Sequence, residues 1–102
     1  MRESEIEKYL VKRVKELGGE CRKVRWIGRR GAPDRLVMLP RSVGFHSDGS
    51  FYTQGAPTIF VELKAPGKKA EPHKAREHER MRRLGQRVVV IDSFEGVDAL
   101  LT

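Results

Sequence analysis

Cysteine is all but missing from this chain. Cys21 stands alone, so the sequence offers neither an internal disulfide nor a cysteine-rich zinc site. Long apolar runs are missing too, the longest falling far short of the roughly 20 residues that a membrane-spanning helix needs. Met1-Arg-Glu-Ser-Glu leads straight into a charged stretch and has no apolar signal core. No internal repeat, linker or low-complexity tract is visible, and no pattern calls for a small organic cofactor. With 102 residues the chain reads as one domain, 1–102, with room for a real core but little to spare. These absences predict a reducing, cytoplasmic setting with no membrane partner.

Acidic charge is the other shortage. Against 21 Lys and Arg stand 14 Asp and Glu, a net charge of +7. The surplus is local: residues 22–35 hold six Lys or Arg against one Asp, and residues 64–87 hold nine against three Glu. A basic surface of this kind suits a polyanion, with nucleic acid ahead of a membrane or an acidic protein. A basic face kept only for solubility predicts the same composition. The contact candidates are Lys23, Arg25, Arg29, Arg30, Lys68, Lys69 and Lys74.

What is present is organised around Thr58-Ile-Phe-Val-Glu-Leu-Lys64. Its apolar and β-branched residues predict a strand with Ile59, Val61 and Leu63 on one face and Phe60, Glu62 and Lys64 on the other. A carboxylate and an ammonium side by side at the end of a buried-looking strand are costly unless the site uses them.

Ahead of it, residues 3–17 predict an amphipathic helix, with Ile6, Leu10, Val14 and Leu17 as its stripe and Gly18-Gly19 as its stop. Glu5 points to solvent. Glu3 sits at the stripe's N-terminal end, where the helix dipole favours an acid. Glu7, one turn deeper, is open between surface charge and site carboxylate. Residues 20–26 predict a short edge strand, Gly28–Pro33 a flexible basic loop, and Arg35–Leu39 a strand stopped by Pro40, with Asp34 at its mouth. Residues 41–57 predict a hairpin-like connection with Val43–Phe45 and Ser50–Tyr52 as pairing pieces, and His46 and Asp48 as loop residues. After the basic turn Ala65–Ala70, a helix runs from Pro72 to Leu84 with Lys74, His78 and Met81 on its sheet-facing side. His73 and His78 lack partners at metal spacing and read as ordinary helix residues. Arg87–Ile91 predicts a buried strand, and Ser93 caps a last helix through Leu101. This order predicts an α/β fold, a mixed central sheet flanked by helices. Strand 58–64, helix 72–84 and strand 87–91 would form a parallel, right-handed crossover.

If the strands bearing Asp34 and Glu62 are neighbours, their carboxylates converge. Such a pair can hold a hard divalent cation through oxygen, with the Leu63 carbonyl as a third ligand. Magnesium keeps several waters and commonly meets phosphates in such sites. A water it binds is more acidic and suited to attack on a phosphodiester. Lys64 would orient or help deprotonate that water, or neutralise charge in the pentavalent transition state. Glu7 would complete the outer sphere from the first helix.

Pro33-Asp34 followed by Glu62-Leu63-Lys64 resembles the PD-(D/E)xK nuclease signature. More narrowly, Gly31-Ala-Pro-Asp-Arg-Leu-Val37, Phe60-Val-Glu-Leu-Lys-Ala-Pro-Gly-Lys68 and Glu77-His-Glu-Arg-Met-Arg-Arg-Leu-Gly85 leading into Val88–Ser93 are similar to the virus-type replication-repair nuclease (VRR-NUC) domain. The resemblance covers essentially the whole chain. It implies a restriction-endonuclease-like fold, Asp34 and Glu62 as ligands for Mg²⁺ or Mn²⁺, Lys64 as the catalytic lysine, and a helix-1 glutamate. Glu7 fits that last role best, because its Ile6-Glu7-x-x-Leu10 setting resembles archaeal junction resolvases. The chain departs from many relatives at Lys74, where they carry a glutamine. Standalone phage and bacterial relatives resemble junction resolvases, so the likeness implies a homodimeric endonuclease selective for branched DNA, including four-way (Holliday) junctions in DNA repair.

Other readings remain open: cleavage of flap or linear DNA, a DNA-binding module without catalysis, or a structural Glu62–Lys64 ion pair in a basic interaction protein. Lys68 and Lys69 lie nearer the proposed metal than Arg29 and Arg30. Trp26 is read as packing, with stacking on a base as the alternative. No recognition-helix pattern is evident, and phosphate contacts carry no sequence information.

Overall fold

The computed structural model describes residues 1–55 and 58–102, with the backbone alone at Val43, Thr53 and Gln54. Ala56 and Pro57, at the end of the expected 41–57 connection, lie outside the described residues. The elements are α1 (Glu3–Glu16), β1 (Glu20–Lys23), β2 (Arg35–Met38), β3 (Ser42–Phe45), β4 (Phe51–Gln54), β5 (Ile59–Leu63), α2 (Pro72–Arg83), β6 (Arg87–Ile91) and α3 (Phe94–Leu101). A four-stranded sheet has the order β1-β2-β5-β6, antiparallel except for the parallel β5–β6 pair that α2 connects. The expected mixed sheet with flanking helices is the observed one.

Alternation along β5 divides the molecule. Ile59, Val61 and Leu63 turn to the α1–α3 side, where they join Ile6, Leu10, Val14, Val37, Ile91 and Val97 in the core. Burying each such aliphatic side chain contributes roughly 1.5–3 kcal/mol. α3 closes this side: Ser93 caps it by accepting from the Gly96 N–H at 2.9 Å. Tyr9 of α1 stacks on Phe94 at 4.5 Å between ring centroids and donates to Asp98 at 2.6 Å. The opposite side is covered by α2, and there the buried residues of the helix are Glu77, His78 and Met81.

The 41–57 connection is the distal half of a long hairpin. β3 and β4 pair with Ser42 against Gln54 and Phe45 against Phe51. β2 and β5 pair with Val37 against Ile59. Equal lengths of chain separate the two paired segments on either arm, so both halves share one register. The tip closes through His46 N–H to the Ser50 carbonyl at 2.8 Å, with Asp48 accepting from the Ser50 backbone at 2.9 Å.

At the α1–β1 corner, a Cβ added at Gly19 would collide with the Met38 carbonyl, which belongs to the sheet and cannot retreat. Gly18 has φ +82° but open space around it. Gly19→Ala is therefore expected to lower unfolding stability by about 2–3 kcal/mol. Gly18→Ala, which meets only the left-handed backbone, is expected to cost about 1 kcal/mol. Urea denaturation of the two variants checks the order.

Candidate functional site

The β2–β5 register sets the geometry of the site. Arg35 pairs with Val61, so the next residue outward, Asp34, stands across from Glu62. Directly opposed residues on antiparallel strands hold their Cβ atoms roughly 4.5–5.5 Å apart. Asp34 is fixed where β2 begins because its carbonyl accepts the Val24 N–H at 2.9 Å. Lys64 follows on Glu62's face, its backbone N–H bonded to the Ile91 carbonyl at 2.9 Å. Asp34 is exposed, Lys64 half-buried and Glu62 buried.

Two side chains from α2 reach Glu62. Lys74 Nζ lies 3.9 Å from Oε2, and His78 Nε2 lies 3.7 Å from Oε1. Neither is within hydrogen-bonding distance. His78 is only 1% exposed, and its Nε2 has no hydrogen-bond partner. Burial raises the Glu62 carboxyl above the usual range, and the charges of Asp34 and Glu3 add to that while Lys74 and Lys64 oppose it. Burial likewise lowers the His78 imidazole, assisted by Arg82 and Lys74, so a neutral ring faces the carboxylate. The result is a buried carboxylate whose partners on α2 stand beyond hydrogen-bonding distance.

Glu7 takes another partner. Its Oε1 lies 2.8 Å from an Arg35 guanidinium nitrogen. Arg35 and Asp34, as neighbours on an extended chain, point to opposite faces of the sheet, so Glu7 is engaged on the core side. The α1 carboxylate whose charge bears on Glu62 is Glu3. Nothing in the spacing of α1 distinguished the two; the partner of Glu7 had to be seen in three dimensions.

The donor set suits a hard cation. Among the described residues no group of three or more His, Cys, Asp or Glu is arranged to hold a metal ion. Magnesium asks less of a protein: one or two carboxylates, with water and phosphate oxygens completing its shell. Asp34 and the under-compensated Glu62 meet that requirement, and the Leu63 carbonyl is one peptide away.

The expected flexible loop before Asp34 is fastened instead. Trp26 Nε1 donates to the Pro33 carbonyl at 2.6 Å, and its ring packs on Phe60 at 5.7 Å. Arg29 grips Glu77 of α2 through two hydrogen bonds of 2.7 and 2.9 Å. Gly31, at φ +85°, passes so close to α2 that a Cβ would press on Lys74 Cα and the His73 carbonyl. Arg29, though exposed like Lys23, Arg25 and Arg30, is thus tied to protein. Lys68 and Lys69 are exposed on a turn pinned by the Gly67 N–H to Asp92 at 3.2 Å. Sequence reasoning placed Lys74 and His78 on the sheet-facing side of α2 but took His78 for an ordinary helix residue. Its four-residue spacing from Lys74 was the signal available.

A mixed sheet with paired carboxylates and a lysine at its open face defines a restriction-endonuclease-like α/β domain. No family model matches the chain. A solved structure described as a VRR_NUC domain superposes with a TM-score of 0.76 at 41% identity, covering 97% of this chain and 92% of that one. "Putative nuclease p44" of Acyrthosiphon pisum secondary endosymbiont phage 1 is 45% identical over 93 residues, 91% of this chain and 85% of that protein. The chain belongs to the VRR-NUC nuclease family. Among the described residues, no helix is long and apolar enough to cross a membrane.

Two outcomes follow from the charges. Glu62 has its folded pKa raised, so its ionisation costs stability as pH rises through that value, and the cost vanishes below the usual carboxylate range. Glu62→Gln is expected to raise the melting temperature of metal-free protein by a few degrees at pH 8 and to match wild type near pH 4. Glu77 has its pKa lowered by the Arg29 hydrogen bond, so its contribution is present above the usual range and lost as pH falls through the folded value. Arg29→Ala is expected to lower the melting temperature at pH 7, with the deficit fading in acid. Adding Glu77→Gln should recover part of it, because no buried charge is then left unpaired.

Proposed function

We propose that this nuclease domain is a metal-dependent endonuclease hydrolysing DNA phosphodiester bonds, selective for branched DNA and acting as a homodimer. The observation that carries the reading is the β2–β5 register, whose pair Arg35–Val61 sets Asp34 and the buried Glu62 next to each other at the same end of the sheet, with Lys64 beside them. Asp34, Glu62 and the Leu63 carbonyl would hold Mg²⁺ or Mn²⁺, which, when bound, acidifies water and screens phosphate charge. Burial of Glu62 keeps water away from its inner side. Lys64 supplies a positive charge where the attacking water approaches and where the pentavalent phosphorus gathers negative charge. Water oxygen bonds to phosphorus and gives up a proton, one P–O ester bond breaks, and the leaving oxygen takes up a proton. Lys74, 3.9 Å from Glu62, would meet a non-bridging phosphate oxygen. Exposed Lys68, Lys69, Lys23, Arg25 and Arg30 supply the sequence-independent attraction to the backbone. Glu3 or Glu7 would complete the outer sphere from α1. Two copies about a two-fold axis would cut a symmetric junction on two strands.

Against the structural ion-pair reading, the side chains that pair with Glu62 are Lys74 and His78 rather than Lys64. Labelled linear duplex, flap and four-way junction DNA, incubated with Mg²⁺ or Mn²⁺, test the proposal. Paired symmetric nicks in the junction are expected, abolished by chelation and reduced at least about 100-fold in Lys64→Ala. Cleavage of flap or linear DNA alone would remove the branched substrate, and binding without cleavage would leave a DNA-binding module. Sedimentation should give twice the 11.7 kDa chain mass. Mg²⁺ should raise the melting temperature of wild type but not of Asp34→Asn or Glu62→Gln.

A further inference from the structure

Along the face of β5 that carries Glu62, the sheet holds a second feature. Trp26, Phe60, Met81 and Leu84 line a largely apolar cleft of about 480 Å³. That size lies within the roughly 300–1,000 Å³ of clefts that take small organic groups. Its aromatic wall is set in place: the Trp26 indole is tied to the Pro33 carbonyl at 2.6 Å and leans on Phe60. Arg29, Glu77 and Arg80 line this cleft and also a neighbouring one of about 290 Å³, to which Arg30, His73 and Arg76 contribute. Glu77 is spent on Arg29, and Arg80 Nε stands 3.9 Å from it, so the second cleft keeps a cationic surplus. Apolar and aromatic on one side, cationic on the other, the double cleft matches a nucleobase and its phosphate. Gln86 at the apolar cleft offers an amide that both donates and accepts, as a base edge requires.

We propose that this double cleft binds one unpaired nucleotide next to the cut phosphodiester, its base against Trp26 and Phe60 and its phosphate among Arg30, Arg76 and Arg80. The proposal rests on the nuclease reading and gives it a source of selectivity. Phe60 lies two residues before Glu62 on the same strand face, about 6.6 Å along the chain, so an unstacked nucleotide beside the scissile phosphate reaches it. A base still paired within a duplex does not present its ring face to the protein, and so cannot occupy the cleft.

Trp26 is the one tryptophan of the chain, so its fluorescence reports the cleft directly. The probes are a blunt duplex, the same duplex with a short unpaired thymidine tail, and tails with an abasic nucleotide at each position in turn. All are titrated into Lys64→Ala protein, with cleavage by wild type run alongside. The tail is expected to quench Trp26 and bind about tenfold more tightly than the blunt duplex, at the low end of what stacking one base contributes. One abasic position should abolish both effects. Leu84→Asp places a carboxylate at the cleft, and because Leu84 is 74% exposed the fold should survive, as its melting temperature would confirm. It should erase the tail's advantage. Equal quenching by blunt duplex, indifference to abasic positions, or an undiminished advantage in Leu84→Asp overturns the nucleotide site alone. Failure of every DNA to bind or be cut overturns the nuclease reading and this site with it.

Discussion

The two-residue alternation of β5, locked by its antiparallel register with β2, is the constraint on which everything else depends. It sends Ile59, Val61 and Leu63 into the core with α1 and α3, and Phe60 and Glu62 toward α2. The same register sets Asp34 against Glu62. A slip of one residue would exchange the two faces entirely. It would put a carboxylate into the core and an isoleucine at the site. Core stability and chemistry are therefore specified together, and the hairpin that continues the register through β3 and β4 is part of that specification.

Dividing the faces leaves the α2 side poorly covered by apolar groups. Stability there comes from tethers: Arg29 to Glu77, Trp26 to Pro33, and Gly31 against the start of α2. The first and last join the loop before Asp34 to α2, and the second closes that loop on itself. Charge-assisted pairs with this geometry are stronger than neutral ones, and they hold the loop without filling the space beside Phe60. The residues that keep Asp34 in place thus also keep a cleft open. That space is affordable because the opposite face carries most of the hydrophobic burial.

Much of this was legible in the sequence. Periods of 3.6 and 2, the stops at Gly18-Gly19 and Gly85, Pro72 at the first turn of α2 and Ser93 as a cap located the elements to within a few residues. Asp34, Glu62 and Lys64 could be nominated because their types and order suit one chemistry. What escaped were partnerships between residues far apart in the chain. Arg29 with Glu77 and Arg35 with Glu7 depend on how a loop and a helix lie across the sheet, which no local pattern encodes. His78 escaped for a related reason: a histidine on a buried helix face reads as packing until the carboxylate across from it is known.

Surplus positive charge, read along the chain, falls in two windows, residues 22–35 and 64–87, and folding sorts it further. Arg29 and Arg35 are consumed by buried or half-buried carboxylates, and Lys74 and Lys64 are drawn toward Glu62. The cations left exposed, among them Lys23, Arg25, Arg30, Lys68 and Lys69, precede Asp34 or follow Glu62 in the chain. The register brings the start of β2 and the end of β5, where the first window ends and the second begins, to the same end of the sheet. Under the proposed function, a polyanion attracted by the long-range charge would meet the carboxylate pair as it arrives. Net charge alone would have predicted the attraction; only the register explains its aim.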